Sequence, residues 1–162
     1  MPEIPRTVAD AYLRTTRRLP EKEAVVGADG RRYSYAEVAR QVERLAAALQ
    51  GLGCGPGDRV AVWLVNSPEW VFAQFACALL GVLVVPVNAR LRADEAAYVL
   101  EKSAAKVLIA QTRFLTNDYL ARLGEIAGGP IGRGETVDIV RLPELRTVVL
   151  IDDAAVPGTV AL

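Results

Sequence analysis

The residues best suited to phosphate chemistry are the glycines of two stretches, Gly51–Gly57 and Gly129–Thr136. A glycine-rich loop binds phosphate when it leaves a strand and opens a helix, because the helix amides then face the anion. The first stretch has the reverse order, so it predicts a helix stop and a tight turn. The second has the glycine spacing of a Walker loop, but Glu135 stands where a lysine is required and would repel phosphate. We assign neither stretch to phosphate binding.

Histidine is absent from the chain. This excludes Ser-His-Asp and Cys-His nucleophile arrangements, the usual zinc ligands and the commonest general base near neutral pH. The two cysteines, Cys54 and Cys77, form no disulfide framework, and Cys77 lies in an apolar run typical of a buried side chain. The sequence therefore predicts no catalytic and no metal-ligating residue.

Two acidic pairs remain. Asp94 and Glu95 fall at the start of a predicted helix, where the helix dipole explains them without catalysis. Asp152 and Asp153 follow a predicted strand, which is where open α/β sheets place ligand groups. This second pair is a minor candidate for a ligand-binding site.

The charges balance, with 19 Lys+Arg and 19 Asp+Glu, so no global field favours nucleic acid or anionic lipid. The first residues lack the apolar stretch of a signal peptide, and we expect a cytoplasmic protein. The apolar run 70–87 is long enough to suggest a membrane span. Gly81 and Pro86 favour instead a buried helix followed by a buried strand, and we predict no transmembrane segment.

Periodicity and capping signals define the remaining elements. Ser34 and Glu37 have capping-box spacing before an apolar helical stripe, and Ser67 with Pro68 has the pattern of a capped helix start. Helices are predicted near 7–19, 34–51, 68–80, 93–102 and 114–127, and strands near 23–26, 31–35, 59–65, 83–87, 106–111 and 146–151.

The alternation of apolar strands with helices predicts an α/β fold, a mainly parallel sheet flanked by helices on both faces. An N-terminal helix and β-hairpin precede it. We expect one unit over 1–162, divided into helix and hairpin (1–35), βα core (36–127), an exposed loop or an insertion (128–145) and last strand with tail (146–162).

Five stretches, in this order, resemble the AMP-forming acyl-CoA synthetases and related adenylate-forming enzymes. They are Tyr33-Ser34-Tyr35-Ala36-Glu37-Val38, Leu52-Gly53-Cys54-Gly55-Pro56-Gly57-Asp58-Arg59-Val60-Ala61-Val62, Asn66-Ser67-Pro68-Glu69-Trp70, Leu80-Gly81-Val82-Leu83-Val84-Val85-Pro86-Val87-Asn88 and Tyr98-Val99-Leu100-Glu101-Lys102-Ser103. The resemblance implies an ATP-dependent fatty-acid (carboxylate)–CoA ligase that needs ATP, Mg²⁺ and CoA.

The family's phosphate loop, Mg²⁺-binding glutamate and catalytic lysine would follow Leu162. The resemblance therefore implies the N-terminal portion of the large domain, inactive alone, with the remainder of its own polypeptide as partner and a carboxylic acid as substrate. Apolar surface left open would favour self-association.

The resemblance offers Asn88 and Arg90 as contacts on the CoA side, with Arg90 pairing with a phosphate. The alternative is a turn residue and a solvated side chain. Arg92 and Ala96 depart from the family's usual capping and aliphatic residues, which predicts a weakly held helix near 93–102. Two other functions stay open, namely a non-catalytic flavodoxin-like binding module and an enzyme that loads a carrier-protein thiol.

Overall fold

A computed structural model of the chain describes residues 4–129, 131, 137–152 and 159–161. The helices are α1 Val8–Arg18, α2 Tyr35–Gly51, α3 Pro68–Leu80, α4 Ala93–Ser103 and α5 Tyr119–Ala127. The strands are β1 Glu23–Val26, β2 Arg32–Ser34, β3 Arg59–Trp63, β4 Leu83–Pro86, β5 Val107–Ala110, β6 Arg113–Phe114, β7 Asn117–Asp118, β8 Thr147–Leu150 and β9 Thr159–Ala161.

Five strands form one parallel sheet in the order β4-β3-β5-β8-β9. Successive side chains of a strand point to opposite faces, so each inner strand contributes side chains to a core on each face of the sheet. One core, with α2 and α3, takes Val60, Val62, Val107, Ile109 and Val149. The other, with α4 and α5, takes Ala61, Trp63, Leu108, Ala110, Val148 and Leu150. The predicted α/β fold class is confirmed, including the N-terminal helix and the β1–β2 hairpin.

The caps follow the sequence at α2 but not at α3. The Ser34 hydroxyl accepts from the Glu37 amide at 3.2 Å, and the Glu37 carboxylate accepts from the Ser34 amide at 2.8 Å. Pro68 begins α3 as predicted, but the Ser67 side chain makes no cap hydrogen bond. Its buried hydroxyl has no partner among the described residues. The prediction of a Ser67 cap was therefore wrong.

The fifth helix begins later than predicted. Residues 113–118 form the short antiparallel hairpin β6–β7, and α5 starts only at Tyr119. Leu115 has a left-handed φ of 51°, which no helix continues through. The Asp118 carboxylate then accepts from the Ala121 amide at 2.9 Å and caps the helix.

The segment 128–145 was predicted as an exposed loop. In its described part Val137, Ile139, Leu142 and Leu145 are buried in the core of the α4–α5 face, so that prediction was wrong there. Most of the second glycine stretch, including Glu135, lies outside the described residues. The strand β9 was not predicted.

The apolar run 70–87 is divided between α3 and β4, as predicted. Gly81 ends α3 with a left-handed φ of 68°. Across the described ranges, no helix has the length and apolarity needed to cross a bilayer.

Candidate functional site at the carboxyl edge of the sheet

Asn88 and Arg90 lie in the loop that connects β4 to α4, and both are exposed. The Asn88 side-chain oxygen accepts from the Arg90 amide at 2.9 Å, and its carbonyl accepts from the Leu91 amide at 3.1 Å. These two bonds fold the loop into a side-chain-supported turn. Asn88 thus shapes the loop, and Arg90 carries its charge.

Side chains from other elements, two of them buried and one partly buried, donate hydrogen bonds to the backbone of this loop. Trp63 Nε1 donates to the Asn88 carbonyl at 3.1 Å, and the Tyr119 hydroxyl donates to the Ala89 carbonyl at 3.2 Å. Arg122 Nη1 donates to the Leu91 carbonyl at 2.7 Å. Because these donors belong to β3 and α5, the position of the loop that carries Arg90 is fixed by the sheet and by the helix packed on it.

The three supporting side chains also contact one another. The Trp63 and Tyr119 rings meet edge to face, with centroids 5.2 Å apart, and the Arg122 guanidinium lies 5.8 Å from the Tyr119 centroid. Burial raises the pKa of Tyr119, against an opposing effect of Arg122, so the hydroxyl stays a donor at neutral pH.

Sequence reasoning missed this supporting group. A signal was present, because a buried Trp or Tyr carries one polar atom that requires a partner. The partners are backbone carbonyls of a distant loop, which no local pattern marks.

The acidic candidates act within the chain. Asp152 accepts from the Thr112 amide at 2.8 and 3.0 Å and from the Thr112 hydroxyl, which ties the ends of β5 and β8 together. Asp153 lies outside the described residues. Beside Thr112, Gln111 is 5% exposed, and its Nε2 has no partner in the described part of the chain.

The other acidic pair belongs to α4. The Glu95 carboxylate accepts from the Arg92 amide at 2.8 Å, so it supplies the cap that Arg92 cannot. Asp94 pairs with Arg141 at 3.2 Å. Ala96 is fully buried in the core on the α4–α5 face of the sheet.

The first glycine stretch lies at the opposite edge of the sheet. Gly51 ends α2, as predicted, and Lys106 Nζ donates to the Gly53 carbonyl at 2.5 Å. The Asp58 carboxylate accepts from the Gly55 amide at 2.9 Å. This loop is therefore closed by the chain's own side chains. Among the residues that the structure describes, no three His, Cys, Asp or Glu side chains cluster in a way that could hold a metal ion.

Comparison with known proteins places these features in a family. The chain is 35% identical over 159 residues to the human mitochondrial medium-chain acyl-CoA ligase ACSF2, which covers 97% of this chain and 26% of that protein. It is 39% identical over 154 residues to a (methyl-dioxo-octahydroindenyl)propanoyl:CoA ligase of Mycobacterium tuberculosis, covering 95% and 27%.

Solved structures agree with these relatives. A long-chain-fatty-acid CoA ligase structure from Rhodopseudomonas palustris, its function inferred, matches with a TM-score of 0.75 at 31% identity, over 96% of this chain and 35% of that one. The anthranilate CoA ligase AuaEII, in complex with anthranoyl-AMP, matches with a TM-score of 0.75 at 26% identity, over 92% and 25%.

The chain spans about a quarter of the length of the curated relatives it matches. The family model of the AMP-binding enzymes matches residues 13–157. The chain therefore belongs to the AMP-binding enzyme family.

Proposed function

We propose that this chain is part of an ATP-dependent ligase that joins an apolar carboxylic acid to CoA. The observation that carries the proposal is the 35% identity to a medium-chain acyl-CoA ligase along 97% of the chain. The names of the matched proteins supply the CoA acceptor and the apolar acid. The chain alone is expected to be inactive.

The proposed chemistry has two steps. A carboxylate oxygen of the acid attacks the α-phosphorus of ATP, the bond to the pyrophosphate oxygen breaks, and an acyl-adenylate forms. The thiol sulfur of CoA then attacks the acyl carbon, its proton is released, and AMP leaves. Mg²⁺ supplies charge neutralisation at the phosphates when bound, but the described residues contain no acidic cluster that fits it. We assign that role to the remainder, meaning the part of the polypeptide that relatives carry beyond the matched stretch.

Within this chain, we propose that Arg90 binds a phosphate of CoA and that Asn88 positions it. A guanidinium matches phosphate with two parallel hydrogen bonds. The loop is held by Trp63, Tyr119 and Arg122, so little ordering is needed when a phosphate binds.

A chimera tests the proposed ligase reaction. The chain replaces the matched 154 residues of the Mycobacterium tuberculosis relative, and pyrophosphate release and thioester formation are measured with a panel of carboxylic acids. We expect acid-dependent pyrophosphate release and CoA consumption from the chimera, and neither from the chain alone. A folded chimera without adenylate formation, or turnover by the chain alone, would contradict the proposal.

Arg90 is tested by Arg90→Gln, with Arg92→Gln as a matched control. Both arginines are exposed, and α4 uses only the backbone amide of Arg92 for its cap. Arg90→Gln should raise KM for CoA about tenfold and leave pyrophosphate release unchanged, because adenylation precedes CoA binding. Equal effects of the two substitutions would remove Arg90 from the site.

We also propose a cytoplasmic location. Cys54 and Cys77 are unpaired and buried, as in proteins of reducing compartments. The human relative is mitochondrial by name. Fractionation of cells that express the native gene checks the proposal, and recovery in an organelle or secreted fraction would contradict it.

A further inference from the structure

Arg122 of α5 bonds to two separate segments at the carboxyl edge of the sheet. Its Nη1 donates to the Leu91 carbonyl in the β4–α4 loop (87–92) at 2.7 Å, and its Nη2 donates to the Asn117 side-chain oxygen in β7 at 2.6 Å. These acceptors lie 31 and 5 residues away in the chain. The guanidinium is a planar fork of fixed geometry. It therefore sets the spacing between the loop that carries Arg90 and the β6–β7 hairpin.

The β6–β7 hairpin depends on side chains for its position. It contains two residue pairs, Arg113 with Asp118 and Phe114 with Asn117. A two-stranded hairpin is marginally stable by itself. An ion pair of 2.7 Å joins Arg113 to Asp118 within the hairpin, and the bond from Arg122 to Asn117 joins the hairpin to the β4–α4 loop. Loss of the Arg122 guanidinium would therefore separate the two segments.

The positive charge of Arg122 is held by neutral acceptors. Its partners are a backbone carbonyl and an amide oxygen, and no carboxylate of the described residues forms an ion pair with it. One of these partners, Leu91, follows Arg90 directly in the chain. Within the described part of the chain, the charge of Arg122 thus adds to that of Arg90 and favours an anion at this loop.

Arg122 differs from the other two side chains that hold the loop. Trp63 and Tyr119 are both 0% exposed and pack edge to face, so their removal would damage the core. Arg122 is only partly buried, with its guanidinium 5.8 Å from the Tyr119 ring centroid. A conservative substitution at Arg122 can therefore release the loop while the core is kept.

We propose that Arg122 is a positioning residue for CoA binding. By holding the β4–α4 loop against the hairpin, it fixes where Arg90 presents its guanidinium to a phosphate of CoA. Both terminal nitrogens of Arg122 are bound within the chain, so it acts through Arg90 and not on the phosphate. This inference rests on the proposed function, because it requires CoA to bind at the carboxyl edge.

Lysine substitutions in the chimera test this role. Arg122→Lys keeps the charge, but a compact ammonium lacks the planar fork that reaches both oxygens. Arg59→Lys is the matched control, because Arg59 is also partly buried and donates to a backbone carbonyl, that of Ala104, but at the amino edge. KM for CoA, kcat for thioester formation and acid-dependent pyrophosphate release are measured for each variant.

We expect Arg122→Lys to raise KM for CoA about fivefold with pyrophosphate release unchanged, and Arg59→Lys to change KM less than about twofold. Arg90→Gln combined with Arg122→Lys should raise KM no more than Arg90→Gln alone, since a positioning residue has no effect once the group that it positions is absent. An unchanged KM for Arg122→Lys would overturn the proposal. So would multiplied effects in the double variant, because Arg122 would then contact CoA itself. An equal loss of pyrophosphate release would overturn it too, because Arg122 would then serve the whole fold.

Hydrogen exchange in the chain alone tests the structural step without turnover. The Leu91 amide, bonded to the Asn88 carbonyl, reports on the loop, and the Leu83 amide, bonded to the Asp58 carbonyl, reports on the amino edge. Arg122→Lys should speed exchange at Leu91 about tenfold and leave Leu83 within about twofold. Equal exchange at Leu91 with and without the substitution would overturn the proposal. Faster exchange at Leu91, found together with a chimera that forms no adenylate, would support the positioning of the loop while contradicting the proposed function.

Discussion

The two edges of the sheet use side chains differently. At the amino edge, Lys106 donates to the Gly53 carbonyl, the Asp58 carboxylate accepts from the Gly55 amide, and Arg59 Nη2 donates to the Ala104 carbonyl at 3.1 Å. These side chains close the loops of that edge on one another. Each of these side chains thus bonds to the backbone of a neighbouring loop.

At the carboxyl edge, some polar groups are exposed or lack a hydrogen-bond partner among the described residues. Trp63 holds the loop, but Arg90 is exposed, and neither Gln111 Nε2 nor the buried Ser67 hydroxyl has a partner among the described residues. Buried polar groups without a partner are rare in folded proteins, and two more, the hydroxyls of Tyr12 and Thr16, lie in α1. The loops of the amino edge are therefore closed on one another, whereas the carboxyl edge, where α/β sheets bind ligands, keeps an exposed arginine. Substitutions at Trp63, Gly81, Asp58 and Arg90 test this difference.

The largest effect is expected at Trp63. Trp63→Ala removes a side chain with 0% exposure that packs edge to face on Tyr119, and should lower the free energy of unfolding by about 3–5 kcal/mol. Trp63→Phe keeps a ring but removes the Nε1 donor to Asn88, and should cost about 1–3 kcal/mol. Urea unfolding measures both. Equal losses would mean that packing does not anchor the carboxyl-edge loop.

Gly81 tests the amino edge. It has φ 68°, and an added Cβ would lie 3.4 Å from Pro56 Cβ. Gly81→Ala should therefore cost about 1–2 kcal/mol by thermal or urea unfolding. Gly51→Ala is the matched control. A Cβ added at Gly51 would meet no atom of another element within 4 Å, and the residue is helical. It should be neutral or stabilise by up to about 1 kcal/mol. Similar losses at both positions would rule out backbone conformation as the cause.

Asp58 gives the amino edge a pH dependence. The Gly55 amide and Lys106 lower the pKa of Asp58, against a smaller opposing effect of burial. Its stabilising contribution is then present above the unfolded pKa of about 3.9 and is lost as the pH falls through the lower folded pKa. Unfolding measured from pH 7 to pH 2.5 should show the gap between the native chain and Asp58→Asn closing over that range. A gap that stays constant with pH would show that the carboxylate charge is not involved.

The smallest effect on stability is expected at Arg90. It is exposed, and its hydrogen bond to Asn88 uses the backbone amide and not the guanidinium. Arg90→Gln should change the free energy of unfolding by less than about 0.5 kcal/mol, while in the chimera it raises KM for CoA. A loss above 1 kcal/mol (well outside the range for exposed sites) would assign Arg90 to stability and remove the contrast between the two edges.

Local patterns predicted most of the fold. The alternation of nearly continuous apolar strands with helices predicted a mainly parallel sheet, and the Ser34–Glu37 spacing predicted the start of α2. The predictions were wrong where residues distant in the chain determine the local structure. Ser67 has a typical cap sequence but makes no cap bond, and apolar residues of 137–145 lie in a core although the segment has no regular period.

The candidate site was predicted in part. Asn88 and Arg90 were chosen through the resemblance to a family, and the structure places both in one loop at the carboxyl edge. Trp63, Tyr119 and Arg122 were not predicted, because their partners lie 25 to 31 residues away in the chain.

The sequence alone determined what kinds of chemistry this chain excludes and which segments become strands and helices, since composition and local periodicity are properties of neighbouring residues. The tertiary structure alone decided which loop carbonyls receive side-chain donors and which buried polar groups have no partner among the described residues. Those features depend on elements distant in the chain meeting in space, and contact between them leaves no local trace in the order of residues.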